Sequence, residues 1–348
     1  MTHHLSVRSR VVLFVFVSLA ATAGTILYVV RARMSTEGAA PASVEGPDPE
    51  RIAAIRRGAH LLFRDMTAGP SYGALAFAPL DAQGTRVSTT VPCSRVHASS
   101  NRAVCLAAER RPTFPNRAYV LEEVNGRFDV VRTFELPGLP SRVRVSRDGR
   151  LAAYTVFVSG DSYLSEGFST RTRLLELDSG REIGDLEERQ VTRDRNRFQA
   201  VDFNYWGVTF APDSSRFFAT LGSGGARYLV AGEPGSEALT VAGEGIECPS
   251  LSPDGTRIAF KHTRPGTNPP HWQPAILELA SGRVRLLPES RSVDDQIEWL
   301  DAGRIVYGIR GPQHIQPRRA DIWLLGVDGN GEPALFLSDA ESPAVIRW

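Results

Sequence analysis

Six times along this chain a small or polar turn leads into an apolar-rich segment: GAHLLF (58–63), NRAVCL (101–106), GRLAAY (149–154), SSRFFA (214–219), GTRIAF (255–260) and AGRIVY (302–307). Each is followed by a second hairpin-like piece, at 74–90, 118–134, 173–186, 227–241, 275–287 and 322–337. The turns there carry Gly84, Asn125-Gly126, Ser179-Gly180, Pro234-Gly235, Ser281-Gly282 and Asp328-Gly-Asn-Gly331. Short apolar runs bounded by such turn residues are strands, and two hairpins per unit make a four-stranded sheet. A unit of this size cannot bury both of its faces alone. Recurrence at intervals of about 41 to 65 residues therefore predicts an all-β, six-bladed β-propeller of four-stranded blades.

The ring is expected to span residues 58–348 and to close on itself. Little strand-like sequence precedes His60, so the first unit begins at its second strand. The final segment, 341–348, reads as a first strand with nothing after it, which would complete the N-terminal blade and remove two sheet edges.

The segment CPSLSPDGTRIAF (248–260) tests whether a carboxylate in such a unit does chemistry. Asp254 stands between Pro253, which presets φ, and Gly255, which accepts positive φ. Asp148, Asp213 and Asp301 occupy equivalent places in other units. A group repeated at the corners of a ring is a turn residue, so these four are structural and no catalytic residue is assigned. Gly69-Pro-Ser-Tyr-Gly73 fits the G-x-S-x-G pattern but lies between two strands rather than on a strand-to-helix elbow, so Ser71 reads as a loop serine. His262 and His271 lack a third ligand at metal spacing, and no metal or other cofactor is expected.

The repeat unit SPDGTRIAF with its following hairpin AILELASGRVRLL, together with VSRDGRLAAY (145–154) and FAPDSSRFFA (210–219), resembles the repeats of TolB-type six-bladed propellers. The resemblance covers 58–348. It implies a rigid extracytoplasmic disc that binds other proteins. In place of the α/β domain that precedes the propeller in the best-known TolB proteins, a membrane span, a tether and one short helix are expected here.

Ahead of the ring, Val11 to Val30 is uncharged and flanked by Arg8, Arg10, Arg31 and Arg33. About 20 apolar residues rising ~1.5 Å each match a hydrocarbon core of ~30 Å. The run is expected to be a signal anchor, with residues 1–10 inside and the propeller outside the cytoplasm. The alternative is a signal peptide cut near Ala21-Thr22-Ala23, which would release a secreted protein. Residues 31–57 read as a linker ending in a short helix, opened by Asp48 as cap and Pro49 in the first turn.

A net charge of +1 gives no electrostatic ground for nucleic-acid binding. Of the 40 basic residues only Lys261 is lysine, a skew attributable to genome composition rather than function. Cys93 and Cys105 flank a hairpin centred near Ser99, which would set them opposite each other and within disulfide reach; two buried thiols are the alternative.

Function is sought on the face where the strand 2–3 connections and the blade-to-blade segments emerge. The long segments there, 159–171, 189–207, 261–274 and 308–321, carry Tyr163, Phe168, Tyr205, Trp206, His271, Trp272 and His314 among arginines. These are the residue types that dominate interface energetics. The expectation is a protein or peptide partner outside the cytoplasm. The competing expectation is a small-ligand or hydrolytic site at the channel mouth, with His262, Asp161, Glu166 and Asp202 as possible contributors.

Overall fold

A computed structural model describes residues 48–347 apart from 82–84, 100, 110–114, 125–126, 165–166 and 312–317, together with 8, 14 and 16–25. The chain divides into two compact units, Met1–Ala42 and Ser43–Trp348. In the first, residues 16–25 are helical and most of the expected anchor lies outside the described residues. Among the described residues no helix is long and apolar enough to cross a membrane.

The second unit is a six-bladed propeller. Blade 1 orders its strands Ala340–Ile346, His60–Asp65, Ala74–Pro79 and Val87–Pro92 from the centre outwards. Blade 2 runs Arg95–Ser99, Arg102–Ala107, Asn116–Val124 and Arg127–Leu136, and blade 3 Leu139–Val145, Leu151–Ser159, Ser169–Glu176 and Arg181–Asp185. Blade 4 comprises Asn204–Phe210, Phe217–Ser223, Ala226–Gly232 and Ala238–Glu244. Blade 5 comprises Glu247–Leu251, Arg257–Thr263, Trp272–Glu278 and Val284–Leu286. Blade 6 comprises Glu298–Asp301, Arg304–Arg310, Ala320–Gly326 and Ala334–Leu337.

Period-two alternation gives every blade two apolar faces, and each packs on a neighbour. Val104, Leu106 and Val120 of blade 2 meet Val143, Ala152 and Tyr154 of blade 3 in one such layer. The seam in blade 1 joins the two ends of the ring: His60 pairs with Ile346, Leu62 with Ala344 and Arg64 with Glu341.

Two local features differ from the sequence expectation. The helix placed in a linker, Pro49–Arg56, belongs to the propeller unit. Asp48 caps it by accepting from Arg51 N at 3.0 Å, and Ile52 is buried in the layer between blades 1 and 2. The stretch 189–207, expected to be a blade-to-blade loop, instead folds a hairpin, Gln190–Arg193 with Asn196–Phe198. Its first strand pairs in parallel with Ala238–Glu244 and widens blade 4 to six strands. Val191 and Phe198 give it an apolar side that packs with Leu239 and Tyr228, so burial offsets the cost of ordering it.

Cys93 and Cys105 form a disulfide with a Cα separation of 5.6 Å, but not as opposed residues of one hairpin. Ser99 pairs with Arg102, which sets Val96 opposite Cys105. Cys93 precedes the strand, in the blade 1 to blade 2 crossover, where its N–H donates to Gly73 O at 2.8 Å. The bridge therefore ties a crossover to a blade. Cys248 is a free, buried thiol.

The aspartate corners are local. Asp254 Oδ1 accepts from Thr256 N at 3.0 Å and from Ser252 Oγ at 2.5 Å, and Gly255 takes φ +72°. Asp148 accepts from Arg150 N at 3.1 Å, Asp213 from Ser215 N at 3.1 Å and Asp301 from Gly303 N at 2.9 Å. Each is a side-chain turn that mimics a backbone one.

Candidate functional site at the channel mouth

The innermost strands begin, and the second strands end, on the face where the strand 2–3 connections and the crossovers emerge. Polar residues at those positions point into one end of the central channel. Glu341, Arg95, Arg142 and Glu247 come from innermost strands, and Asp294 from the segment before one. Arg64, Lys261 and Arg310 stand at or near the ends of second strands. Together they form a charged cluster fed by five blades.

Its carboxylates bridge blades. Glu341 accepts from Arg64, from Arg310 Nε at 2.9 Å and from Arg95 Nη1 at 3.4 Å. Asp294 Oδ1 lies 3.1 Å from Arg142 Nη2 and 3.3 Å from Lys261 Nζ. Glu247 pairs with Lys261 Nζ at 3.2 Å and accepts from Trp272 Nε1 at 2.9 Å. Beneath them Asp295 Oδ2 accepts from Ser342 N at 3.0 Å and Gly308 N at 3.2 Å. A second tier lies two residues deeper along the strands, where Glu298 is bonded by Arg144 and lies 3.4 Å from His97 Nε2.

Burial opposes the charge of Asp294, but Lys261, Arg142 and Arg310 outweigh it and hold this carboxyl at about 2. Glu341 is likewise held far below the usual range, against burial, by Arg310, Arg95 and Arg64. Burial alone would discharge Lys261, yet the surrounding Cys248, Glu247 and Asp294 raise its pKa. Asp294 and Glu341 are therefore held as carboxylates and Lys261 as an ammonium at neutral pH. Burial and the Arg144 guanidinium keep His97 below the ordinary imidazole value, and its Nδ1 accepts from Val145 N at 3.0 Å.

Backbone irregularities aim these side chains. Register shifts fall between Leu62 and Arg64, Pro140 and Arg142, Trp206 and Thr209, and Glu247 and Ser250. A bulge bends the strand and redirects a side chain, as it does here in blades 1, 3, 4 and 5. Two non-glycine residues on the innermost strands, Cys248 (φ +50°) and Ser342 (φ +56°), take left-handed conformations at this level. Gly207 sits against Cys248 so closely that a Cβ there would stand 2.7 Å from Cys248 Cα.

An aromatic wall closes one side. Tyr163, Trp206 and Trp272 are 5%, 0% and 3% exposed, and with Phe157 and Cys248 they form one cluster. Tyr163 bonds Ser141 through its hydroxyl, and Lys261 Nζ lies 4.2 Å from the Trp272 ring centroid. Cation–π attraction of this kind strengthens when the ammonium is desolvated.

The structure places most of the expected binding residues in the aromatic wall rather than on exposed loops. Tyr163, Tyr205, Trp206 and Trp272 are walls and packing, because Tyr205 and Trp206 lie within strand Asn204–Phe210 and Trp272 opens strand Trp272–Glu278. Phe168 and His271 are half-buried, and His314 lies outside the described residues, as does Glu166. The three suggested catalytic contributors among the described residues, Asp161, Asp202 and His262, do not converge. Asp202 caps a hairpin by accepting from Gly224 N at 2.6 Å, Asp161 is exposed, and His262 stacks edge-on to Phe260. The cluster that does converge was written in the sequence as charges alternating with apolar residues, Arg95/His97 and Arg142/Arg144, on strands whose place in the ring is innermost.

The mouth opens to solvent at Asp294 and Arg310, whose side chains are 29% and 35% exposed. Around it the same face carries exposed apolar residues: Leu139, Val158 and Leu164 on blade 3 and Val201 on the crossover that follows.

No family model matches the sequence, and no curated protein matches it. Among solved structures, TolB from Acinetobacter baumannii superposes with a TM-score of 0.57 at 19% identity, over 82% of this chain and 66% of that one. The chain thus spans just under two thirds of the TolB chain. A chain from a nidogen/laminin complex superposes with a TM-score of 0.52 at 11% identity, over 83% and 98%. Kuenenia stuttgartiensis hydrazine synthase follows at 0.46 and 16%, over 74% and 72%. At these identities the likeness carries the fold: this chain is a six-bladed β-propeller with TolB as a structural neighbour.

Proposed function

We propose that the protein is a membrane-tethered, extracytoplasmic propeller that holds a protein or peptide partner on the face around the channel mouth. The observation that carries this reading is the pairing of a charged mouth with an exposed apolar rim at Leu139, Val158, Leu164 and Val201. Apolar rim residues supply the area that binding buries, and Asp294 and Arg310 supply register and selectivity. Anchorage through residues 11–30, with the ring outside the cytoplasm, rests on the uncharged run and its flanking arginines. Scaffolding in the cell envelope is consistent with the solved neighbours, one of which is a TolB and another part of a nidogen/laminin complex. Hydrolysis at the mouth is disfavoured because each carboxylate is held by cations and each cation by carboxylates.

The test is photocrosslinking from positions 164 and 201 in cells, with position 286 on an outer strand as control. A discrete polypeptide adduct from 164 and 201 that disappears with Arg310→Ala supports the reading. Adducts equal at all three positions, or none at the rim, would remove it.

A further inference from the structure

A cavity of about 680 Å³ lies away from the channel, between blades 1 and 2. One wall is the Gly69–Gly73 loop with Ala74 and the outer strand of blade 1. The other is the Cys93–Ser94 crossover with Ala107–Glu109 and strand Asn116–Val124, and the capped helix start closes one end. Spaces of this size suit a small organic molecule.

Its charge is one-sided. Arg51, Arg64, Arg86 and Arg117 line it against Asp48 and Glu109. Two of these arginines are committed. Arg86 bonds Asp65 at 3.2 Å and Asp339 O at 2.9 Å, and Arg51 lies 3.6 Å from Asp48. Arg117 is not: it is half-buried and its side chain makes no hydrogen bond or ion pair among the described residues. Arg64 gives one nitrogen to Glu341, while its Nε is buried with no hydrogen-bond partner. Gly73, at φ +83°, keeps the wall beside it bare: a Cβ there would stand 3.5 Å from Arg64 Nη2 and 3.7 Å from its Nε. Leaving buried donors unmatched is costly, and an anion is the partner that repairs it best. The remaining lining is suited to a hydroxylated ring, with Tyr72 and Tyr119 as flat surfaces and Ser71, Thr90 and Ser94 as hydroxyls.

We propose that this inter-blade cavity binds a sugar-sized anion, a carboxylated or phosphorylated monosaccharide, with Arg117 and Arg64 taking the acidic group. The site opens away from the channel mouth and shares with it only Arg64, whose other nitrogen bonds Glu341.

Titration calorimetry on the full chain in detergent, with galacturonate, glucose 6-phosphate and glucose as probes, tests it. One or both anions should bind with unit stoichiometry, and glucose about tenfold more weakly or not at all. Arg117→Ala should weaken the anion about tenfold or more with an unchanged melting temperature. Arg195→Ala, at an exposed arginine in the turn of the hairpin added to blade 4, should leave binding as it was and so excludes general charge attraction. Galacturonate alone would assign a sugar acid, and glucose 6-phosphate alone a sugar phosphate. Absence of binding by either anion up to about 10 mM, equal binding of glucose, or indifference to Arg117→Ala would overturn the proposal.

Discussion

Acids and arginines occur in two settings on the two ends of the channel axis, and they do different work. At the blade corners Asp148, Asp213, Asp254 and Asp301 each accept from a backbone N–H two residues on, within one turn and largely in water. At the mouth Glu341 and Asp294 reach across blades to cations that are distant in sequence, and Glu247 holds the buried Lys261 across two strands of blade 5. Arg64 and Glu341 are 277 positions apart. The corner set is replaceable piece by piece, because each member serves one hairpin. The mouth set is a single coupled unit, in which removing one partner strands several charges.

The largest effect that would break this comparison comes from the seam. Deleting 340–348 removes the innermost strand of blade 1 and with it Glu341, leaving Arg64, Arg95 and Arg310 without their shared acid. The cooperative thermal transition followed by circular dichroism should be lost or lowered by more than about 10 °C. A truncation melting with the parent would mean that the ring does not need its seam.

Next is Glu341→Gln, which keeps shape and removes charge. Unpairing a buried cluster costs about 3–5 kcal/mol, read as a shifted urea midpoint. A loss below about 1 kcal/mol would place the mouth with the corners.

Acid sensitivity follows from the same set. Asp294 and Glu341 have folded pKa values below their unfolded ones, so their contribution is present above about pH 4 and is lost as pH falls, towards about 2 for Asp294. His97 is also held below its unfolded value, so the unfolded chain takes up its proton first and stability should already decline as pH drops under about 6.5. Urea midpoints flat from pH 7 to pH 4 would contradict the His97 effect, and midpoints flat from pH 4 to pH 2 the carboxylate one.

Glu187 has the opposite sign. Burial and the neighbouring Asp185 push its carboxyl up to about 9, against two contacts from Thr172 N. The unfolded chain releases that proton at lower pH, so the stabilisation present in acid fades as pH rises towards about 9. Glu187→Gln should therefore raise stability at pH 8 by roughly 1–3 kcal/mol and change it little at pH 4.5. The smallest effect belongs to a corner: Asp254→Ala should cost about 0.5 kcal/mol, because Pro253 and Gly255 still shape the turn.

The fold was legible because its determinants are local. Each hairpin carries its own turn chemistry, and alternation along each strand sets both packed faces, so six repeats specify a ring. The mouth was not legible in the same way. Glu341, Arg64 and Arg310 meet only after the ring closes, and nothing in their local sequence separates them from the many surface arginines of a lysine-poor chain. The aromatics misled for a related reason. Proline and arginine around Tyr205, Trp206 and Trp272 suggest loops, whereas bulged strands continue through these positions and carry the rings inward. Period-two charge on the innermost strands, as in Ser-Arg-Val-Arg-Val over 141–145, was the available signal.

The seam also sets an order of events. Five blades can form from neighbours in sequence, but blade 1 must wait for a strand made some 277 positions later, at a chain-entropy cost of about 5 kcal/mol for that closure. Until then the inner edge of His60–Asp65 is bare, and so are the cations of the mouth. The last strand to arrive acts as a clasp, and the protein completes its charged mouth and covers an open sheet edge in one step.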